Sequence, residues 1–337
     1  MRRFVITVCL SIAIPIAILT GVFFLTDPYK TLKPFSLDYL DLTNRDYLSS
    51  ELFLMNYPEQ HYDSYIFSSS RGCGINTYHW VKYLSEGSNQ FLFQAWGETL
   101  TGMAQKIDYI DQHGYALKNV LLLLDIPGAF DPVQLHSGAN VIKHPAFSHQ
   151  PKWLFQLTLL YDFLQKPTQW TRAIKKWIRP IPESISFDSV SNDWEKENRN
   201  RDLATPPEKD SLCLLNSRSK SFYIAQAICA QSSNLLQESG PLIHNEELRL
   251  LRHIREVFDR KGTDYRVVIS PLYCYLNPSL SHEDRQVLSE VFGQEYVYDF
   301  SGKNAFTEDY NNYSDSKHFG LSVGWHLIEQ IYNSENK

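Results

Sequence analysis

Residues 62–74 read YDSYIFSSSRGCG, and this stretch decides the interpretation of the whole chain. Its first half alternates aromatic or apolar residues with small polar ones, which predicts a short β-strand over 62–68. Small residues follow at once, so the backbone can turn sharply and present a side chain at the carboxyl end of the strand. Parallel α/β sheets bind their ligands at that edge. A serine there can act as a nucleophile when a base lies within hydrogen-bond reach.

A candidate base lies near the other end of the chain, where residues 313–320 read YSDSKHFG. Asp315 and His318 are three residues apart and precede an apolar helical stretch. At that spacing a carboxylate can orient an imidazole, which can take a proton from serine. Taken alone, each block also has a plainer interpretation. The serines could form a polar turn, Asp315 could cap the last helix and His318 could be a residue of its first turn.

The two blocks, in this order, resemble the SGNH (GDSL-like) hydrolase superfamily. More narrowly, they resemble its membrane-anchored bacterial branch, whose first block often reads Gly-Ser-Ser-Arg rather than Gly-Asp-Ser-Leu. The resemblance implies that Ser70 is the nucleophile, Asp315 the orienting carboxylate and His318 the base. It also implies a three-layer α/β sandwich of the SGNH or flavodoxin-like kind.

The same resemblance suggests the remaining site residues. Gly97 follows the second predicted strand and matches the glycine whose backbone N–H, with that of Ser70, would hold the oxyanion. Arg71 and Asp125 would line the site. The family's substrates and partners imply an acylated glycan or polysaccharide as substrate and a membrane O-acyltransferase as partner.

The sequence departs from the family pattern in two places. Standard members carry Gly-x-Asn in the third block, but residues 125–128 read DIPG, with no asparagine to donate to the oxyanion. Loss of one such donor can lower the rate by about 10²–10³-fold. Ser68 also replaces the usual glycine. Three functions stay open: a serine esterase or O-acyltransferase, a catalytically weak or inactive glycan-binding or assembly protein of the cell envelope, and a structural membrane-tethered partner that acts through residues 131–240.

Alternating strand and helix patterns predict an α/β fold. We expect strands at 62–68, 90–96, 119–126, 265–270 and 296–300. The helices between them predict a five-stranded parallel sheet with helices on both faces. Residues 131–240 interrupt this rhythm as an insertion with helices at 153–164 and 170–178. Those helices, which carry Trp and Lys, could lie on the membrane interface or form an amphipathic cap over the active site.

The N-terminus predicts a membrane anchor. Residues 4–26 contain no charged side chain and follow two arginines, so they are long enough to cross a bilayer as a helix. The arginines predict a cytoplasmic N-terminus and a periplasmic or extracytoplasmic domain over 28–337, after an anchor at 1–27. A cleaved signal peptide is the alternative, but residues 20–29 offer bulky side chains where a cleavage site needs small ones.

Composition narrows the other function classes. A net charge of −6 gives no support for nucleic-acid binding, and the absence of Cys-x-x-Cys or a His/Cys cluster argues against a structural zinc. We expect no metal or cofactor. Four cysteines, Cys73, Cys213, Cys229 and Cys274, would face an oxidising compartment. A local Cys213–Cys229 disulfide and buried free thiols are both open.

Overall fold

The computed structural model describes residues 1–37, 44–131, 138–139, 141–179, 188–193, 240–273, 279–313 and 317–333. The chain divides into two compact units. The helical unit comprises residues 1–51 and 136–185, and the sheet unit comprises residues 52–135 and 186–337. Cys213, Cys229 and Cys274 lie outside the described residues, whereas Cys9 is an exposed free thiol.

The sheet unit contains five parallel strands, as the sequence predicts. They are β1 (Ser64–Ser68), β2 (Gln90–Gln94), β3 (Asn119–Leu124), β4 (Asp264–Ile269) and β5 (Val297–Asp299). Their order in the sheet is β2-β1-β3-β4-β5. The direction in which successive strands are added reverses between β1 and β3, so the carboxyl ends of these two strands flank the crevice in which such sheets bind ligands.

Eleven α-helices are present among the described residues. They are α1 (Arg2–Thr26), α2 (Arg45–Gln60), α3 (Thr77–Trp80), α4 (Leu100–Gln112), α5 (Pro145–Ser148), α6 (Lys152–Gln165), α7 (Pro167–Ile178), α8 (Asn245–Lys261), α9 (His282–Phe292), α10 (Ala305–Glu308) and α11 (Leu321–Asn333). Local sequence sets several of their ends. Thr99 and Ser281 cap the first turns of α4 and α9, and Gly262, with a φ of 65°, ends α8.

Side chains on the two faces of the sheet differ in kind. One face contributes aliphatic residues such as Ile66, Leu92 and Leu121, which belong to a buried cluster with Val323 and Leu327 of α11. The opposite face is aromatic. The rings of Phe67 and Phe93 stack with centroids 5.5 Å apart. Since β1 to β3 are buried along their whole length, their near-continuous apolar sequences are typical of a covered parallel sheet.

The helical unit is organised around the end of α1. Phe23 is buried there in a cluster with Phe155, Leu159 and Phe163 of α6 and Ala173 of α7. Asp162 braces the same region, because its carboxylate accepts hydrogen bonds from the Tyr29 hydroxyl at 2.7 Å and the Ala139 N–H at 3.1 Å. α1 is long and apolar enough to cross a membrane, with a mean hydropathy of 2.6 over its most apolar window.

Candidate functional site

Three consecutive serines at the end of β1 have three different environments. Ser68, the last strand residue, is fully buried beneath the following turn. Ser69 is the N-cap of the 3₁₀ turn Ser70–Gly74, where its Oγ accepts from the N–H of Arg71 and donates to Asp125. Ser70 alone is partly exposed. The turn therefore presents one serine hydroxyl to the edge of the sheet and uses its neighbours as supports.

Ser70 is paired with His318. The Nε2 atom of His318 lies 2.8 Å from the Oγ of Ser70. When Nδ1 carries the imidazole proton, Nε2 accepts a hydrogen bond from the serine, which is the geometry that a general base requires. Both side chains are partly exposed, so a substrate can reach the pair from solvent.

Two backbone contacts fix the segment that carries His318. Tyr313 and Phe319 form an isolated antiparallel bridge, and the N–H of Gly320 donates to the carbonyl of Asn312 at 2.8 Å. These contacts join residues 312–313 to residues 319–320, which directly follow His318. The imidazole is therefore placed by backbone structure as well as by its bond to Ser70.

Two glycines bring α11 against the serine turn. A Cβ atom on Gly324 of α11 would lie only 1.9 Å from the carbonyl oxygen of Gly74. A Cβ atom on Gly74 would in turn lie 2.5 Å from the ring of Phe319. Glycine is the residue that permits so close an approach of two backbones. The packing that brings His318 to Ser70 thus requires that Gly74 and Gly324 have no side chain.

Behind Ser70 lies a buried polar network centred on Asp125, which directly follows β3. Its carboxylate accepts from Ser69, accepts from Ser270 at 2.7 Å and forms an ion pair with Arg71 at 3.3 Å. Arg71 also donates to the Oγ of Ser270 at 2.7 Å. Because the residues come from the carboxyl ends of β1, β3 and β4, the network joins three strands beneath the serine turn.

The structure describes the positions of the two expected oxyanion donors, the N–H groups of Ser70 and Gly97, but not their contact with a substrate. Gly97 lies in the exposed turn between β2 and α4 and has a φ of 59°, a conformation that favours glycine. Gln94, the last residue of β2, donates from Nε2 to the carbonyl of Ser70 at 3.2 Å. This bond holds the peptide that follows Ser70. No side-chain donor comes from Asp125, since an ionised carboxylate only accepts hydrogen bonds.

Burial also controls the ionisation of a tyrosine phenol near the site. Tyr313 is fully buried, and desolvation raises the pKa of its phenol well above the usual range, while the Arg71 guanidinium opposes that rise. Its ring lies 5.5 Å from that of Tyr273. Tyr313 therefore stays neutral at physiological pH and adds no negative charge beside Arg71 and Asp125.

The structure describes the positions of all the proposed site residues except one. Ser70 and His318 are together, Arg71 and Asp125 are together beneath them, and Gly97 is in the turn after β2. Asp315 lies outside the described residues. In the described part of the chain, no group of three or more His, Cys, Asp or Glu side chains is arranged to hold a metal ion.

Four supporting residues escaped the sequence reasoning: Ser69, Gln94, Ser270 and Gly324. A signal existed for Ser270, which ends a predicted strand, and for Gln94, which lies two residues before the end of another, because the ends of parallel strands meet at one edge. Nothing local in the sequence marks Gly324, whose role depends on a backbone about 250 residues earlier.

No family model matches the chain, and no curated protein matches it.

Proposed function

We propose that this chain is a membrane-anchored serine hydrolase or O-acyltransferase of the SGNH type, with Ser70 as nucleophile and His318 as base. The observation that carries the proposal is the 2.8 Å separation of Ser70 Oγ and His318 Nε2. Its place adds support, because the pair stands where the order of strands reverses in a parallel sheet. The serine is also the exposed member of its triplet, which a nucleophile must be.

The reaction proceeds through an acyl-enzyme. His318 takes the proton of Ser70 as its oxygen attacks an ester carbonyl, and the N–H groups of Ser70 and Gly97 hold the oxyanion. The alcohol leaves with the proton from His318. Water or a sugar hydroxyl then gives its proton to His318 and attacks the acyl carbon, and His318 returns that proton to the Ser70 oxygen as its bond to the acyl carbon breaks. Asp315 has the role of orienting the imidazole.

The finer parts of the proposal rest on the resemblance and on the N-terminal sequence. These are a three-layer SGNH sandwich, a cell-envelope polysaccharide or glycan ester as substrate, and a membrane O-acyltransferase as partner. α1 would span the membrane with its two arginines in the cytoplasm, leaving the sheet unit in the periplasm. An α1 of sufficient length and hydropathy supports the anchor.

A second function is favoured by one specific observation. Asp125 stands in the third block, where its carboxylate is occupied by Ser69, Ser270 and Arg71. It supplies no oxyanion donor. A glycan-binding or assembly protein of the envelope would keep the fold and the serine–histidine pair while lacking an efficient oxyanion site.

Fluorophosphonate labelling of the detergent-solubilised full chain separates the two functions. Wild type should be labelled at Ser70, and Ser70→Ala and His318→Ala should each abolish the labelling. Ser88→Ala and His326→Ala change a serine and a histidine outside the pair and should leave it unchanged. A folded wild-type protein that takes no label would contradict the enzyme proposal and direct the next assays to glycan binding.

A further inference from the structure

α6 has apolar side chains on two opposite sides. Phe155, Leu159 and Phe163 are buried against α1 and α7. On the other side Trp153, Leu157 and Tyr161 recur every four residues, and they are 64, 50 and 64% exposed. A surface helix in water carries polar residues on its outward side, whereas a helix that is apolar all round is covered by protein or lipid. With 14 residues, α6 is too short to span a bilayer.

α7 also has an exposed apolar side, with a different pattern. Ile174, Trp177 and Ile178 lie along one side and are 40, 61 and 64% exposed. Basic residues follow the opposite side at helical spacing: Arg172, Lys175, Lys176 and Arg179. A helix with Trp and aliphatic residues on one side and Lys and Arg on the other is typical of segments that lie in the plane of a membrane interface.

We propose that the exposed apolar side of α6 and α7, formed by Trp153, Leu157, Tyr161, Ile174, Trp177 and Ile178, is embedded in the lipid interface beside α1. We call these six residues the interface surface. The inference rests on the part of the proposed function in which α1 spans the membrane, and it adds a second, laterally attached contact with the lipid.

The position of α6 and α7 along α1 places the interface surface at the depth of the lipid headgroup region. Residues 2–18 of α1 are exposed throughout, and burial begins only near Phe23. At 1.5 Å per residue, the 17 uncovered residues reach about 25 Å. The hydrocarbon core of a bilayer is about 30 Å thick. The α6–α7 pair therefore begins before α1 has left the core, within the outer 5–10 Å or so that interfacial helices occupy.

Charge points to an anionic lipid surface. Residues 151–179 contain six basic residues and one acidic residue, for a local charge of +5 in a chain whose net charge is −6. The acidic residue is Asp162, which is buried and bonded to Tyr29. Lys and Arg beside a membrane can extend their side chains to lipid phosphates while their stems cover apolar surface.

Depth-dependent fluorescence quenching in vesicles tests the inference on the full chain. The vesicles contain phosphatidylethanolamine and phosphatidylglycerol, and a dansyl-bearing amino acid replaces one residue at a time: Ile12, Leu157, Trp177 or Glu256. All four are solvent-exposed in the structure, so replacement leaves the packing intact. Ile12 reports on α1, Leu157 and Trp177 on the interface surface, and Glu256, on α8 of the sheet unit, on water.

The inference predicts that lipids brominated near the glycerol backbone quench the probes at Leu157 and Trp177. Lipids brominated near the chain ends should quench the probe at Ile12, and only aqueous iodide should quench the probe at Glu256. Quenching of the Leu157 and Trp177 probes by iodide alone, or by neither agent, overturns the inference while Ile12 still reports an inserted anchor. An Ile12 probe that lipid does not quench overturns the anchor itself, so the two failures are distinguishable.

Discussion

His318 Nε2 lies 2.8 Å from Ser70 Oγ, although 248 residues of sequence separate the two. The contact joins a turn after the first strand to a loop before the last helix. It is supported from below by the network of Asp125 and from the side by α11. Each support makes a prediction that can be tested apart from any substrate.

The serine–histidine pair should raise the reactivity of a thiol placed at the same position. In Ser70→Cys the sulfur would lie beside the imidazole of His318, which favours the thiolate and speeds alkylation. We expect iodoacetamide at neutral pH to modify this position at least about tenfold faster than the partly exposed Ser88→Cys. Peptide mass mapping separates these sites from the native Cys73.

Adding His318→Ala to Ser70→Cys supplies the control. The double variant should lose the rate advantage, because the neighbouring imidazole is gone. Equal alkylation rates with and without His318 would show that the two side chains do not interact in solution. This test needs no oxyanion donor, so it examines the pair even if the protein binds glycans without cleaving esters.

Asp125 should be more important for stability than an ordinary surface ion pair. Its side chain is 8% exposed and that of Arg71 is 10% exposed, so Asp125→Ala leaves a buried cation without its partner. Removing one partner of a buried pair costs about 3–5 kcal/mol. We expect a loss of that size in the free energy of unfolding, measured by urea titration in detergent.

A double-mutant cycle isolates the interaction. Asp125→Ala combined with Arg71→Ala should destabilise the protein by less than the sum of the two single changes, because the second substitution removes the stranded charge. Additive losses would contradict direct coupling. Lys118→Ala is a useful comparison: its ion pair with Asp63 at 2.8 Å involves an exposed lysine, so solvent screens the pair and a much smaller loss than for Asp125→Ala is expected.

Gly324→Ala should destabilise the protein even though it improves helix propensity. In a helix interior, glycine to alanine normally stabilises by about 1 kcal/mol. At Gly324 the new Cβ would meet the Gly74 carbonyl at 1.9 Å, so α11 must shift. Overpacking of this kind costs about 1–3 kcal/mol, and the shift should also reduce labelling of Ser70. Gly128→Ala, which meets nothing within 4 Å, is the matched control and should change stability by less than about 0.5 kcal/mol.

His79 should make the sheet unit less stable in mild acid. It is buried against the indole of Trp325 with ring centroids 3.4 Å apart, and burial lowers its pKa to about 4 from an ordinary value of 6.5. Glu329 opposes this shift and Lys82 adds to it. Between pH 6.5 and 4 the unfolded chain therefore binds a proton that the folded protein does not, so the free energy of unfolding falls as the pH is lowered through this window.

Urea midpoints at pH 7 and pH 5 measure this effect. We expect the wild-type midpoint to fall by more than that of His79→Phe, which keeps an aromatic ring against Trp325 but cannot be protonated. An equal fall in both proteins would assign the pH dependence to other groups.

The fold was predictable because its signals are local. The apolar run of β3 and the amphipathic pattern of α8 lie within single segments, and the carboxyl-edge rule then brings Ser70 and Asp125 to the same side of the sheet. The pairing of Ser70 with His318 was predicted from two short motifs and their resemblance to a family. Its distance could come only from the packed structure.

Other features could not be predicted, because they depend on partners distant in sequence. The resemblance singles out Ser70 among the three serines, but the bond of Ser69 to Asp125 and the burial of Ser68 could not be predicted from the local sequence. The apolar residues of α6 allowed two interpretations, a helix at the membrane interface and a cap over the active site, because the sequence does not tell which side of α6 contacts α1. Likewise, Gly324 is an ordinary helix glycine until Gly74 is beside it.

The contact between Gly74 and Gly324 also orders events in the life of the chain. The serine turn is synthesised early, whereas His318 is synthesised 248 residues after Ser70. Until α11 has packed against that turn, the hydroxyl is an ordinary alcohol. The proposed nucleophile is therefore without its proposed base in a growing polypeptide and gains it only when the folding of the sheet unit is complete.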